Sequence, residues 1–327
     1  MTRLSILWRT LTITKYPLAA LSLKRGKGRK AITFRNGLTC NLTWPQFRVF
    51  RDSYQLLAKY SISQVKDDFF RIRDQRSEVI CNSQLMTLIF ELMEDFVIIQ
   101  EDEDVFYIRK KNFQAVGSKE ILFCVQELNT GEYECDCQNK VVLDIGGFEG
   151  ESAAYFWGKK AKKVIIYEPV EAHMQFIEKN IALNKINAEF YQAGIGNKNG
   201  IQIIHYNETN PGFGFLNKGL KSMEIKIRDV SEVIEESNAE LAKFDCEGAE
   251  ESLVHVPDKI LRKIEYYLIE VHSPDIRKAI LEKFQNASFI LEKETPKPPQ
   301  CSVLAFKRRH SKENCQCCEN IQLSSSS

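Results

Sequence analysis

The second half of the chain repeats one pattern. A short apolar run stops at an acid, and a segment with apolar residues three and four apart follows it. The runs are "VVLD" ending at Asp144, "VIIYE" at Glu168, "LAKFD" at Asp245 and "YYLIE" at Glu270. The helical segments are 151–161, 170–185, 229–237 and 248–256. Short continuous apolar runs are strands buried on both faces, and their alternation with helices predicts an α/β fold with a doubly wound parallel sheet. Ligands of such sheets lie beyond the carboxyl ends of the strands, so the four acids are expected along one edge. Four structural salt bridges would be a strained account of them, because a buried acid needs a partner. A carboxylate-rich edge instead suits a ligand carrying positive charge and several hydroxyls.

Before residue 139 the pattern is mixed. "FRNGLTCNLTW" (34–44) reads as a hairpin turned at Asn36-Gly37, 45–61 and 82–96 show helical spacing, and "DVFYIRK" (104–110) alternates like a strand. The expected organisation is a basic segment over 1–30, a mixed, largely helical region over 31–138, the main domain over 139–308 and a Cys/Ser-rich disordered tail over 309–327.

Charge adds little to this. In 327 residues, Lys+Arg is 45 against Asp+Glu 44, which is read as no nucleic-acid partner. Locally the balance differs: residues 1–30 carry eight Lys or Arg and no acid. That basic, partly apolar segment suggests peripheral contact with a membrane surface. The start is not read as a secretory leader, because Arg9 and Lys15 interrupt it, and no apolar run reaches spanning length. Ten scattered cysteines then fit a reduced, cytoplasmic setting. No metal ligands are assigned, although zinc shared between Cys135/Cys137 and Cys315/Cys317/Cys318 is within chain reach.

The turn after the first strand carries the chemistry. Asp144-Ile145-Gly146-Gly147-Phe148-Glu149-Gly150 passes from strand to helix with little side-chain bulk, so that a ligand approaches the backbone. The glycines are not spaced as G-x-G-x-x-G, which argues against a nicotinamide-dependent oxidoreductase, and there is no Lys-Ser/Thr of a P-loop. Glu168 ends the next strand 24 residues after Asp144, placed to grip both ribose hydroxyls of an adenosine. D-x-G-x-x-x-G followed by a strand-end glutamate is the pattern of S-adenosyl-L-methionine binding.

The stretch 141–185, then "LAKFDCEGAEESLV", then "YYLIEVHSP", resembles the FkbM-type S-adenosylmethionine-dependent methyltransferases over residues 141–308. The D-x-E-G-x-E at Asp245–Glu250 and the E-V-H at Glu270–His272 are its most specific elements. The family usually has Ala-Asn where this chain has Gly147-Phe148, and an apolar residue in place of Glu149. The resemblance implies a Rossmann-like class I methyltransferase fold with seven strands, the last ("CSVLAFKR", 301–308) antiparallel. It implies cofactor contacts from Asp144, Gly146, Gly147, Gly150, Glu168, Gln192, Ala193 and Asp245. It also implies O-methylation of a hydroxyl on a sugar, glycolipid or natural-product-like acceptor.

An alcohol becomes a good nucleophile as its proton leaves, so a general base is sought among Asp245, Glu247, Glu270 and His272. Glu247 also reads as a cap for the helix near Gly248, and Glu250 as a residue that orients a neighbour. The loop 207–219, with Gly212-Phe213-Gly214, reads either as a lid or as a plain hairpin tip. Absence of a Pro-Pro after Asp245 argues against nucleobase amines as acceptors. The alternative function is a fold that no longer methylates and binds a membrane surface or partner. The intact acids oppose it.

Overall fold

The computed structural model describes residues 13–15, 20, 28–35, 37–52, 59–66, 68–207, 210–215, 221–297 and 300–309, without the side chains of 206–215 and 221. Two compact units divide between Gln126 and Glu127. Among the described residues no helix is long and apolar enough to cross a membrane. The basic segment 1–30 and the tail beyond 309 fall almost wholly outside the described residues.

In the first unit, β1 (Lys30–Thr33) and β2 (Thr39–Leu42) pair as the expected hairpin, with Asn36 itself outside the described residues. Helix α1 (Trp44–Asp52) precedes a six-stranded sheet of β3 (Ser61–Lys66), β4 (Phe69–Arg73), β5 (Glu78–Asn82), β6 (Val97–Asp102), β7 (Val105–Lys110) and β8 (Phe113–Gly117). Neighbours are antiparallel except β5 and β6, whose parallel pairing is allowed by the crossover helix α2 (Met86–Asp95). The expectation of a largely helical region is therefore corrected. Segments such as "FFRIR" and "EVICN" alternate exposed and buried residues with the two-residue period of strands. Helix α3 (Ile121–Thr130) spans the division, so 127–138 belong to the second unit.

The second unit contains, in chain order, β9 (Val141–Ile145), β10 (Lys163–Tyr167), β11 (Ala188–Tyr191), β12 (Gly194–Gly196), β13 (Gly200–Asn207), β14 (Asn210–Phe215), β15 (Lys221–Asp229), β16 (Leu241–Phe244), β17 (Tyr266–Val271), β18 (Phe289–Lys297) and β19 (Cys301–Arg308). Its main sheet has the order β11-β10-β9-β16-β17-β19-β18, parallel except for β19, which is antiparallel to both neighbours. Numbered within that sheet, the order is 3-2-1-4-5-7-6. This is the Rossmann-like methyltransferase fold. Helices α4 (Glu151–Gly158), α5 (Glu171–Asn184), α6 (Val230–Ser237), α7 (Asp258–Leu261) and α8 (Pro274–Asn286) intervene, while Ala249–His255 is a 3₁₀ turn. Asp229 caps α6 by accepting from the Ser231 and Glu232 amides, and Ser273 caps α8 with Pro274 in its first turn. Tyr267, Phe284, Phe289 and Phe306 pack as one buried aromatic cluster, with centroids 4.5–5.4 Å apart.

The strands flanking the expected lid, β13 and β15, pair antiparallel in a separate sheet of order β12-β15-β13-β14. Gly212, Phe213 and Gly214 lie in β14, hydrogen-bonded to β13, so the backbone there is a sheet strand.

Register decides what stands at the edge of the main sheet. Ile145, Tyr167, Tyr191, Phe244 and Ile269 form one row across five parallel strands. The next residues are Gly146, Glu168, Gln192, Asp245 and Glu270. Gly146 (φ 75°) is also where two chain segments nearly touch: a Cβ there would lie 1.7 Å from the Asp245 carbonyl oxygen. Gly146→Ala is expected to cost about 3 kcal/mol or more in a urea or thermal melt. Gly200→Ala, with open space around it, should stay within about 0.5 kcal/mol of the parent.

Candidate active site

The first strand supplies Asp144, one position inside the edge and directly opposite Lys243 of β16. Both side chains are buried, and Lys243 Nζ lies 3.3 Å from Asp144 Oδ1 and 3.7 Å from Asp245 Oδ2. Its ammonium also donates to the Gly146 carbonyl at 2.8 Å, and Ser152 Oγ donates to Asp144 Oδ2 at 2.6 Å. Burial disfavours the Lys243 charge, but Asp144, Asp245 and Glu151 outweigh it and hold the group above its ordinary value. Burial also pushes the Asp144 carboxyl up, against the pull of Lys243.

The glycine turn is shaped largely by the chain itself. A Cβ at Gly147 would meet Ile166 at 2.3 Å, and Gly150 (φ 88°) sits against the backbone of Ile177. Compactness in this loop therefore serves strand–helix packing as well as access to the backbone.

Glu168 is buried and anchored. Its Oε1 accepts from the Val170 amide at 2.9 Å and faces His173 Nδ1 at 3.1 Å, while Oε2 accepts from the Phe148 amide at 3.1 Å. Phe148 stands at φ 45° with its ring 4.5 Å from that of His173. Gln192 is exposed just past β11 and Ala193 is buried beside it.

Two short segments, Asp245–Glu250 and Glu270–His272, build the other half. Glu250 is fully buried; its Oε2 accepts from the Gly248 amide at 2.8 Å, and its Oε1 faces His272 Nδ1 and accepts from the His272 amide, both at 3.0 Å. It orients His272, as expected. Nε2 of that ring then faces Glu270 Oε1 at 3.7 Å and Asp245 Oδ1 and Glu247 Oε2 at 3.8 Å. Burial lowers the His272 value, but the Glu250 hydrogen bond and the surrounding carboxylates raise it to about 9, so the ring is an imidazolium at neutral pH. Burial brings Glu247 to about 7. Glu247 adopts φ 53° and accepts no hydrogen bond among the described residues.

Sequence reasoning missed the cations and the phenol. Tyr133, fully buried, donates to Glu270 Oε2 at 2.5 Å and lies 3.1 Å from Asp245 Oδ2. Lys297 Nζ donates to Glu270 Oε2 at 2.8 Å and pairs with Glu127 at the same distance. Lys243 and Lys297 thus supply partners for Asp144, Asp245 and Glu270, and the expectation of acids without structural salt bridges is corrected. Burial opposes the Asp245 charge, yet Lys243, His272 and Lys297 hold its carboxyl below the ordinary value; burial and the Asp245 charge push Glu270 up. A lysine inside the apolar run "LAKFD" was the one available signal. Tyr133 is 112 residues from Asp245 and had none.

Of the cysteine pairs, Cys137 is buried with Sγ 3.6 Å from the Phe156 carbonyl, and 315–318 lie outside the described residues. All seven described cysteines are free thiols.

No family model matches the chain, and neither does any curated protein. Solved structures do resemble it. Fibrillarin of Aeropyrum pernix, with natively bound S-adenosyl-L-methionine, is 9% identical with a TM-score of 0.37, covering 65% of this chain and 99% of that one. An rRNA methylase from Streptococcus thermophilus is 14% identical, TM-score 0.36, covering 59% and 98%. The Methanococcus jannaschii fibrillarin pre-rRNA processing protein is 10% identical, TM-score 0.37, covering 76% and 97%. The exclusion of nucleic acid as a partner does not stand. A chain-wide charge balance says nothing about the field at one edge.

Several buried side-chain atoms among the described residues lack a hydrogen bond, and one of them belongs to a carboxyl beside the glycine turn. Glu151, in the first turn of α4, is pushed to about 8 by burial, and its Oε2 has no hydrogen bond among the described residues. Because the folded value exceeds the ordinary 4.5, the protonated carboxyl stabilises the fold at low pH, and that contribution is lost as pH rises from 4.5 towards 8. Glu151→Gln is therefore expected to raise the melting temperature at pH 9 and leave it nearly unchanged at pH 4. The difference should grow by up to about 1.4 kcal/mol per pH unit in between.

Proposed function

We propose that this chain is an S-adenosylmethionine-dependent methyltransferase of the FkbM type that methylates a hydroxyl oxygen on a sugar, glycolipid or natural-product-like acceptor. One observation carries the reading. The 3-2-1-4-5-7-6 sheet aligns Gly146, Glu168, Gln192, Asp245 and Glu270 at the carboxyl edge of its parallel strands, where such folds hold ligands. A ribose hydroxyl of a nucleic acid belongs to the same acceptor chemistry.

The residues present fit the cofactor. Glu168 Oε2 accepts a single hydrogen bond, from Phe148, and keeps a lone pair for a ribose hydroxyl. The unpartnered Glu151 Oε2 beside the glycine turn is an acceptor of the kind a methionyl ammonium needs. Gly146, Gly147 and Gly150 keep side chains out of the turn, while Gln192 and Ala193 stand at the third strand end. The bound cofactor would supply an electrophilic methyl group on a sulfonium.

For the proton, the geometry favours one candidate. Asp245 and Glu270 are held by Tyr133 and the lysines, and His272 already carries its proton. Glu247 accepts no hydrogen bond among the described residues and its side chain is 21% exposed, so it is assigned the base role.

Calorimetric titration with S-adenosylmethionine tests the reading. Saturable binding is expected for the parent chain, weakened at least about tenfold in Glu168→Ala and in the near-isosteric Glu168→Gln. A folded parent that binds none would overturn it.

A further inference from the structure

The carboxylates around His272 are held in an unusual way. Two of them, Asp245 and Glu270, are each held on one oxygen and bare on the other. Glu270 Oε2 accepts from Tyr133 at 2.5 Å and from Lys297 at 2.8 Å, while Asp245 Oδ2 lies 3.1 Å from the same phenol oxygen and 3.7 Å from Lys243 Nζ. The other two oxygens, Asp245 Oδ1 and Glu270 Oε1, accept no hydrogen bond among the described residues. They face His272 Nε2 at 3.8 and 3.7 Å, beyond hydrogen-bonding distance. Glu270 does this with a side chain only 7% exposed, its Oε1 directed at the imidazole nitrogen.

Here the ring is fixed from behind by Glu250 Oε1 at Nδ1, and Nε2 is left facing the bare oxygens. A carboxylate on the far nitrogen of a histidine is the usual support of a metal-ligating ring. Donor atoms from Asp245, Glu270 and His272 all lie within 4.8 Å of one another. With metal–ligand bonds of about 2.1 Å, neighbouring donors stand about 3.0–3.4 Å apart, so a small inward movement completes the set.

We propose that Asp245, Glu270 and His272 form a site for a divalent transition-metal ion, with Tyr133, Lys243, Lys297 and Glu250 as its supporting shell. One imidazole with two carboxylates suits Mn²⁺, Fe²⁺ or Zn²⁺ better than Ca²⁺ or Mg²⁺. Coordination replaces the proton on Nε2 with the ion, which satisfies both bare oxygens and the ring together. Glu247 stays outside the set. The site stands on this geometry alone. The consequence that the ion would hold the acceptor's hydroxyl and lower its pKa beside Glu247 rests on the methyl-transfer reading above.

Mn²⁺ binding by the full chain, followed by electron paramagnetic resonance and calorimetry without cofactor, is the test. One Mn²⁺ per chain is expected, lost in Asp245→Asn and His272→Ala and weakened about 10–100-fold in Glu250→Gln. Binding should be unchanged in Glu94→Gln, an exposed carboxylate of the first unit paired with Lys59. Melting curves of each variant separate loss of the site from loss of the fold. Absence of binding by the folded parent, or binding unaltered in folded Asp245→Asn and His272→Ala, overturns the proposal. S-adenosylmethionine titrated into the same samples gives an independent readout: cofactor binding without Mn²⁺ binding sinks the metal site alone, and the reverse sinks the methyltransferase reading alone.

Discussion

A single buried ammonium holds the two central strands in their working register. Lys243 sits in β16 between Ala242 and Phe244, with both faces of the strand covered. Alone it would be intolerable there, since a buried charge without partners is costly. Asp144 on the adjacent strand, the Gly146 carbonyl and Asp245 surround it, so the charge belongs only in this pairing. A slip of one residue would turn Lys243 to the opposite face and strand it among apolar side chains. Because Asp144, Gly146 and Asp245 are all tied to that ammonium, the geometry of the glycine turn and of the carboxylate edge follows from it.

Charge at the edge is organised as a gradient of restraint. Asp144 and Glu168 have both oxygens engaged within the second unit. Asp245 and Glu270 are fixed on one oxygen each by the same phenol, Tyr133. Glu247 is the least held, on a backbone in the left-handed region. Rigid carboxylates suit ligand positioning, and a less restrained one suits proton transfer. His272 is at the centre of this gradient, and its orientation by Glu250 gives its two nitrogens different environments.

The main sheet was legible because each strand carries its own signal. Runs such as "VVLD" and "YYLIE" are apolar, short and closed by an acid, and the antiparallel last strand at 301–308 appears where the resemblance implied it. The first unit was misread for a related reason. Its sheet is built from short strands rich in Arg, Glu, Ser and Gln on the exposed side, such as "SISQVK" and "FFRIR", in which the two-residue period is carried by two or three apolar residues only. Helical spacing at 45–61 and 82–96 is the stronger local pattern, and helices do lie there, at Trp44–Asp52 and Met86–Asp95.

For the site, the sequence by itself determined that Glu168, Asp245 and Glu270 reach the sheet edge, whereas Asp144, expected beside them, stands one position inside it because β9 runs on to Ile145. It also marked the glycine turn and the role of Glu250. Only the tertiary structure decided what those acids meet. Strand order brings Lys243 against Asp144. The last hairpin brings Lys297 to Glu270, and the chain before β9 brings Tyr133 between Asp245 and Glu270, from 112 and 137 residues away. Partnership of buried charges is a property of proximity across the fold, and local sequence patterns carry no record of it.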